Sequence, residues 1–161
     1  MPIKVGDRLP EAKFRVMTSD GPAWKTTDEV FKGKKVALFA VPGAFTPTCT
    51  NLHMPSFLNN LAPIKSKGVD TIAVTAVNDV FVMKQWAKET GADGKIDVLA
   101  DGNGDFAKAI DMAFDGSVGG LGTRSRRYSM LVDNGVVKSL NIEEAPGKCE
   151  LSSGEALLKQ L

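Results

Sequence analysis

The 161-residue chain predicts an α/β fold in which a mixed central sheet is flanked by helices. Two observations carry this. Lys35 to Val41 and Thr71 to Val77 are continuous apolar runs of strand length, as expected of strands covered on both faces, and a segment of helical periodicity separates them. Further on, Asp133-Asn-Gly135 stands between two more strand-like runs, and Asn-Gly marks a hairpin because both turn residues tolerate positive φ.

Ahead of Lys35 lies an N-terminal extension able to form a hairpin of its own. From about Thr48 to Lys65, Met54, Phe57, Leu58 and Leu61 keep the helical period, so this segment reads as the crossover helix of a βαβ unit and the flanking runs as parallel neighbours. Pro55 removes one N–H and is expected to kink that helix. Asn78 is placed to cap a helix running to about Thr90, with Val82, Met83 and Trp86 on its buried stripe and Gly91 as its stop. A short strand at Ile96 to Ala100 follows, then a helix keeping Phe106, Ala109, Ile110 and Ala113 in period. Tyr128 to Val132 and Val136 to Ile142 form the antiparallel hairpin. Ser152 followed by Glu155 is a capping-box pattern opening a last helix with Leu157, Leu158 and Leu161. This order is that of a thioredoxin-like fold, and at 17.2 kDa, with no repeat or linker, residues 1–161 read as one domain.

With 43% hydrophobic and 24% charged residues the composition is that of a globular protein, and a net charge of +1 argues against a general nucleic-acid or membrane-surface role. The N-terminal Met-Pro-Ile-Lys-Val-Gly-Asp lacks the apolar core of a signal peptide and no apolar stretch reaches spanning length, so a cytoplasmic protein is expected. The two cysteines, Cys49 and Cys149, are too few for a secreted disulfide framework and form no CxxC pair. Chemistry or packing must then account for each.

Cys49 lies in Val41-Pro-Gly-Ala-Phe-Thr-Pro-Thr-Cys-Thr50, directly after a strand. A helix opening near Thr48 would put it in the first turn, where unpaired N–H groups and the positive end of the macrodipole favour an anion. Pro42 and Pro47 stiffen the approach, Gly43 lets backbone come close to a bound molecule, and Thr46 and Thr48 bring hydroxyls able to donate to a thiolate or a bound oxygen. The plainer reading is a small buried hydrophobe.

Pro42-Gly-Ala-Phe-Thr46-Pro-Thr-Cys49 resembles the peroxiredoxin active-site pattern P-x-x-x-T-x-x-C. The longer Val-Pro-Gly-Ala-Phe-Thr-Pro-Thr-Cys-Thr-x-x-His-x-Pro resembles the peroxiredoxin 5, or type II, subfamily. So do Ala76-Val-Asn-Asp-Val-Phe-Val-Met-Lys-Gln-Trp86, Ala100-Asp-Gly-Asn-Gly-Asp-Phe106 and Arg127-Tyr-Ser-Met130. The resemblance implies a thiol-dependent peroxidase acting on hydrogen peroxide and alkyl hydroperoxides, without metal or other cofactor. It makes Cys49 the peroxidatic cysteine, Thr46 the hydroxyl that binds the peroxide, Pro42 the shield over the thiolate, and Arg127 the arginine facing the sulfur. Backbone N–H groups near Gly43 and Cys49 would cradle the two oxygens, and Arg124 is a candidate for a supporting contact. A homodimer is implied as well.

Cys149 is the candidate resolving thiol, but Glu144-Ala-Pro-Gly-Lys-Cys149-Glu-Leu departs in spacing from subfamily members that use such a cysteine. Reduction by glutathione, glutaredoxin or thioredoxin is the alternative. His53, the single histidine, is either a base for the thiol or a hydrogen-bonded structural residue, and the second is preferred. Cys49, His53 and Cys149 make a poor zinc set. The glycine-rich stretch Gly116 to Gly122 completes no phosphate-binding motif and reads as mobile packing near the active site. A redox sensor oxidised at Cys49 with little turnover is the alternative function. A thiol-disulfide oxidoreductase would need a second cysteine where Leu52 stands.

Overall fold

The computed structural model describes residues 2–161. The N-terminal extension does form a hairpin, β1 (Lys13–Thr18) and β2 (Gly21–Thr26), followed by α1 (Thr27–Phe31). Thr26 and Glu29 close a reciprocal capping box at its start. The hairpin is no separate appendage: Arg15 bridges to Ala100, which joins it to the main sheet. Next come β3 (Lys35–Ala40), a π-helical turn (Cys49–His53), α2 (Met54–Leu58), α3 (Leu61–Ser66), β4 (Thr71–Ala76), α4 (Val80–Thr90) and β5 (Asp97–Ala100). The chain ends with α5 (Asp105–Ala109), β6 (Ala113–Asp115), a 3₁₀ turn (Ser117–Gly119), β7 (Thr123–Ser125), β8 (Tyr128–Asp133), β9 (Val136–Ile142) and α6 (Gly154–Leu158).

The main sheet runs β2-β1-β5-β4-β3-β8-β9, with β5, β4 and β3 parallel and the outer pairings antiparallel. It is the mixed sheet expected. Alternation along β3 sends Ala37 and Phe39 to one face and Val36, Leu38 and Ala40 to the other. The first face is covered by α2, α3, α4 and α6 through Phe57, Ile64, Trp86 and Leu157, while α1 and α5 cover the second through Phe31 and Phe106. Asn134 at φ 50° and Gly135 at φ 81° form the turn between β8 and β9.

Four local expectations are corrected. The crossover is not one helix: a π-helical turn puts the Met54 N–H on the Cys49 carbonyl, Pro55 then sits in the first turn of α2, and Asn59-Asn60 breaks the chain before α3. Asp79, not Asn78, caps α4, its side chain accepting from Val82 N at 2.9 Å. The helix after β5 ends at Ala109, because Asp111 takes φ 56°, and Ala113 belongs to β6. Ser153, not Ser152, caps α6, since Ser152 is engaged by Glu143.

Candidate active site

β3 ends against the Pro42 to Thr48 loop, which carries Cys49 over the C-terminal edge of the parallel strands. Phe45 turns the loop through φ 66°, and both the N–H and the hydroxyl of Thr46 go to the Gly43 carbonyl, at 3.4 and 2.7 Å. Asn78, freed from capping, accepts the Ala44 N–H at 2.9 Å and ties the loop to the end of β4. Arg124 fastens the other side, donating through Nη1 to the Pro42 carbonyl at 3.3 Å and through Nε to the Leu121 carbonyl at 2.9 Å. This bears out the supporting contact expected of it. The glycine-rich stretch is a bonded turn between β6 and β7, closed by Gly116 N to Gly122 O at 2.7 Å. Among the described residues the Gly43 N–H, which lies in this loop, meets no acceptor.

Cys49 is fully buried. Arg127, only 2% exposed and just ahead of β8, donates through Nη2 to Cys49 Sγ at 3.1 Å. The arginine expected to turn inward does so, while Arg126 stays half-buried. Nη1 of Arg127 meets His53 Nδ1 at 3.0 Å, and the side edge of the guanidinium, Nε and Nη2, grips the Pro146 carbonyl at 3.1 and 2.9 Å. The strap that follows β9 is thus drawn across the site. Thr48 also holds it: its hydroxyl donates to the Gly147 carbonyl at 3.1 Å, where the sequence suggested a thiolate or a bound oxygen as its acceptor.

His53 packs against the stacked pair Phe39 and Phe57, and its Nε2 lies 2.8 Å from the Ser152 carbonyl. Both ring nitrogens are therefore engaged away from the thiol, which makes the imidazole a hydrogen-bonded residue and not its base. Burial, with the Arg127 charge adding, depresses its pKa to about 3, so it is neutral at pH 7. Glu143 Oε2 accepts from Glu150 N, Ser152 N and Ser152 Oγ at 2.9, 2.6 and 2.6 Å, fixing the far end of the strap. Cys149 rides on that strap, half-buried and free, and burial chiefly pushes its thiol up to about 11; Arg127 opposes this while Glu143, Glu155 and Cys49 add to it. Among the described residues no cluster of His, Cys, Asp and Glu is grouped to hold a metal, and no helix is long and apolar enough to cross a membrane.

The sequence singled out Pro42, Gly43, Thr46, Cys49 and Arg127, and the fold gathers them in one place. It did not reveal Asn78 as a loop anchor, the Pro146 carbonyl, or the pair Glu143 and Ser152. A main-chain acceptor leaves no side-chain signature, and Glu143 reads as one more acid in a charged stretch.

Comparison with known proteins matches nearly the whole chain. The family model described as Redoxin matches residues 4–158. Peroxiredoxin-2C of Oryza sativa subsp. japonica is 45% identical, over 99% of each chain. The reduced Prx3 of Vibrio vulnificus in complex with H2O2 superimposes with a TM-score of 0.93 at 46% identity, over 98% of both chains. Peroxiredoxin 5 of Alvinella pompejana gives 0.85 at 37%, over 98% of this chain and 97% of that one. The chain belongs to the Redoxin family and, within it, to the peroxiredoxins of the peroxiredoxin 5 or type II kind, which are thiol-dependent peroxidases.

Proposed function

We propose that Cys49 is the peroxidatic thiol, reacting as a thiolate with the terminal oxygen of a hydroperoxide. An S–O bond forms as the O–O bond breaks, and the departing oxygen leaves with a proton as water or an alcohol, so that Cys49 becomes a sulfenic acid. Arg127 supplies positive charge to the sulfur and to the oxygens as charge moves along S–O–O. Thr46 and the Gly43 N–H bind the peroxide, with the Cys49 N–H beside them, and Pro42 closes the site from water. The observation that carries this reading is the 3.1 Å contact of a buried guanidinium with a buried sulfur. Cys49→Ser is expected to abolish peroxide consumption, and residual turnover in that variant would overturn the assignment.

We further propose that an external thiol of the glutathione, glutaredoxin or thioredoxin class resets Cys49. A Cys149 thiol raised to about 11 would be thiolate in roughly one molecule in ten thousand at pH 7, too few for fast attack on a sulfenic acid. One equivalent of hydrogen peroxide should therefore add one oxygen to the intact mass and leave Cys149 titratable. Loss of two hydrogens and both thiols would instead make Cys149 the resolving cysteine.

A homodimer is the third part of the reading. Phe45 (50% exposed) and Phe81 (66%) present large apolar side chains, and so do Val118 and Leu121. They stand on segments that the Ala44–Asn78 and Arg124–Pro42 bonds tie together around the site. Covering this rim with a second copy would bury it. Light scattering after size exclusion should give twice the chain mass, and Phe45→Glu should reduce it to a monomer.

A further inference from the structure

Arg127 is a buried cation, and among the described residues no carboxylate forms an ion pair with it. Buried guanidinium groups are ordinarily matched by an acid, because an unpaired buried charge is costly. Here the partner at Nη1 is His53. The chemistry of its two neighbours fixes its protonation: a guanidinium only donates and a carbonyl only accepts, so Nδ1 carries the lone pair and Nε2 the proton. Phe39 and Phe57 hold the ring, with centroids 4.9 and 5.7 Å away. The Ser152 that receives Nε2–H is held by the Glu143 carboxylate through its own N–H and hydroxyl. An acid is therefore present, one residue removed, where it orders the network without cancelling the charge of Arg127.

We propose that His53 is a positioning residue for the peroxidase reaction: a neutral acceptor locked in one tautomer, it aims Arg127 Nη2 at Cys49 Sγ and leaves the guanidinium charge for the sulfur and the peroxide oxygens. This rests on the roles given above to Cys49 and Arg127. A carboxylate at position 53 would bind the guanidinium but neutralise it. An aliphatic side chain would leave Nη1 buried without an acceptor, with only the Pro146 carbonyl to hold the guanidinium toward the sulfur. Glutamine keeps both a neutral acceptor and an N–H donor, on a longer arm than asparagine.

The test compares His53→Gln, His53→Leu and His53→Glu in the full chain, following oxidation of Cys49 by hydrogen peroxide in a single turnover. The glutamine variant should stay within about threefold of the wild type, and the leucine and glutamate variants should slow by about ten- to a hundredfold, the scale of one charge-assisted hydrogen bond. The ratio of Cys49 alkylation rates at pH 6 and pH 9, read by peptide mass, should fall in His53→Glu. The double variant His53→Leu/Arg127→Gln should be no slower than Arg127→Gln, since the imidazole acts through the arginine. A leucine variant at the wild-type rate, or a double variant slowed by the full product of both effects, overturns the positioning role alone. Arg127→Gln at the wild-type rate overturns the reading of Arg127 itself, and this inference with it. A direct measurement needs no variant: the chain has a single histidine, so its ¹⁵N ring signals report the tautomer unambiguously. Nε2–H with a bare Nδ1 from pH 5 to 8 is expected, and an Nδ1–H tautomer or a doubly protonated ring overturns the proposal.

Discussion

Gly43 shows how closely the residues of the site are fitted. Its backbone needs no positive φ, yet a Cβ there would come 2.7 Å from Arg124 Nη1 and 3.2 Å from Thr46 Cγ2. The first of these is the free end of a flexible side chain, so Gly43→Ala should cost folding stability only about 0.5 kcal/mol. Activity should suffer far more, because Arg124 leaves the Pro42 carbonyl and a methyl enters the space assigned to the peroxide. A urea midpoint near that of the wild type with peroxide consumption down at least tenfold is expected, on the scale of one lost transition-state contact; unchanged consumption would mean that the oxygens bind elsewhere. Pro42, Thr46 and Cys49 were legible in the sequence because they lie within one short stretch, and Arg127 because its own motif accompanies it. His53 was visible as a residue but not as a partner, since its two contacts come from Arg127 and Ser152, 74 and 99 positions away.

At the scale of elements, periodicity found what exists and missed where it stops. Met54, Phe57, Leu58 and Leu61 keep the spacing of one helix across a real break, because the chain resumes helical geometry after Asn59-Asn60 with its apolar side still toward the sheet. Local capping patterns were overridden by partners outside the helix, as when Glu143 takes Ser152 and Ala44 takes Asn78. Adjacent residues can therefore be separated by experiment. Asp79→Ala should lower stability by about 1 kcal/mol through loss of the α4 cap and leave the peroxide rate unchanged. Asn78→Ala should do the reverse, loosening the active-site loop and slowing Cys49 oxidation; equal kinetics in the two variants would show that the Ala44 anchor does not matter. The start of α6 gives a harsher case. Gly154 packs directly on the Ser56 carbonyl, and its N–H donates to Ser56 Oγ at 2.9 Å. A Cβ would meet backbone that cannot yield, so Gly154→Ala should destabilise by about 1–3 kcal/mol and disturb Ser152 beside His53. Gly147→Ala, with open space around it, is the control and should be silent in thermal melts.

Across the whole molecule, the face of the sheet that carries the site is also the larger apolar cluster, so the chemistry and the core share one set of contacts. Acid stability should show this coupling. His53 titrates near 6.5 when unfolded, whereas burial and then the Arg127 charge hold it at about 3 in the folded chain. Above pH 6.5 both states carry a neutral ring and the group contributes no pH dependence. Between those two values the unfolded chain binds a proton that the folded chain refuses, so stability falls as pH falls, by about 1.4 kcal/mol per pH unit. Asp101 works in the opposite sense: burial raises its pKa, the folded chain keeps its proton to higher pH, and acidification returns some stability as pH drops towards the ordinary carboxylate value. The two groups oppose each other wherever their windows overlap, and only the histidine's contribution is removed by a substitution at position 53. Urea unfolding at pH 6.5 and pH 5 should therefore show the wild type losing about 2 kcal/mol more than His53→Gln, which has no ring to protonate. Parallel losses would mean that the imidazole is already charged in the folded chain, and a charged ring has no lone pair with which to receive Arg127.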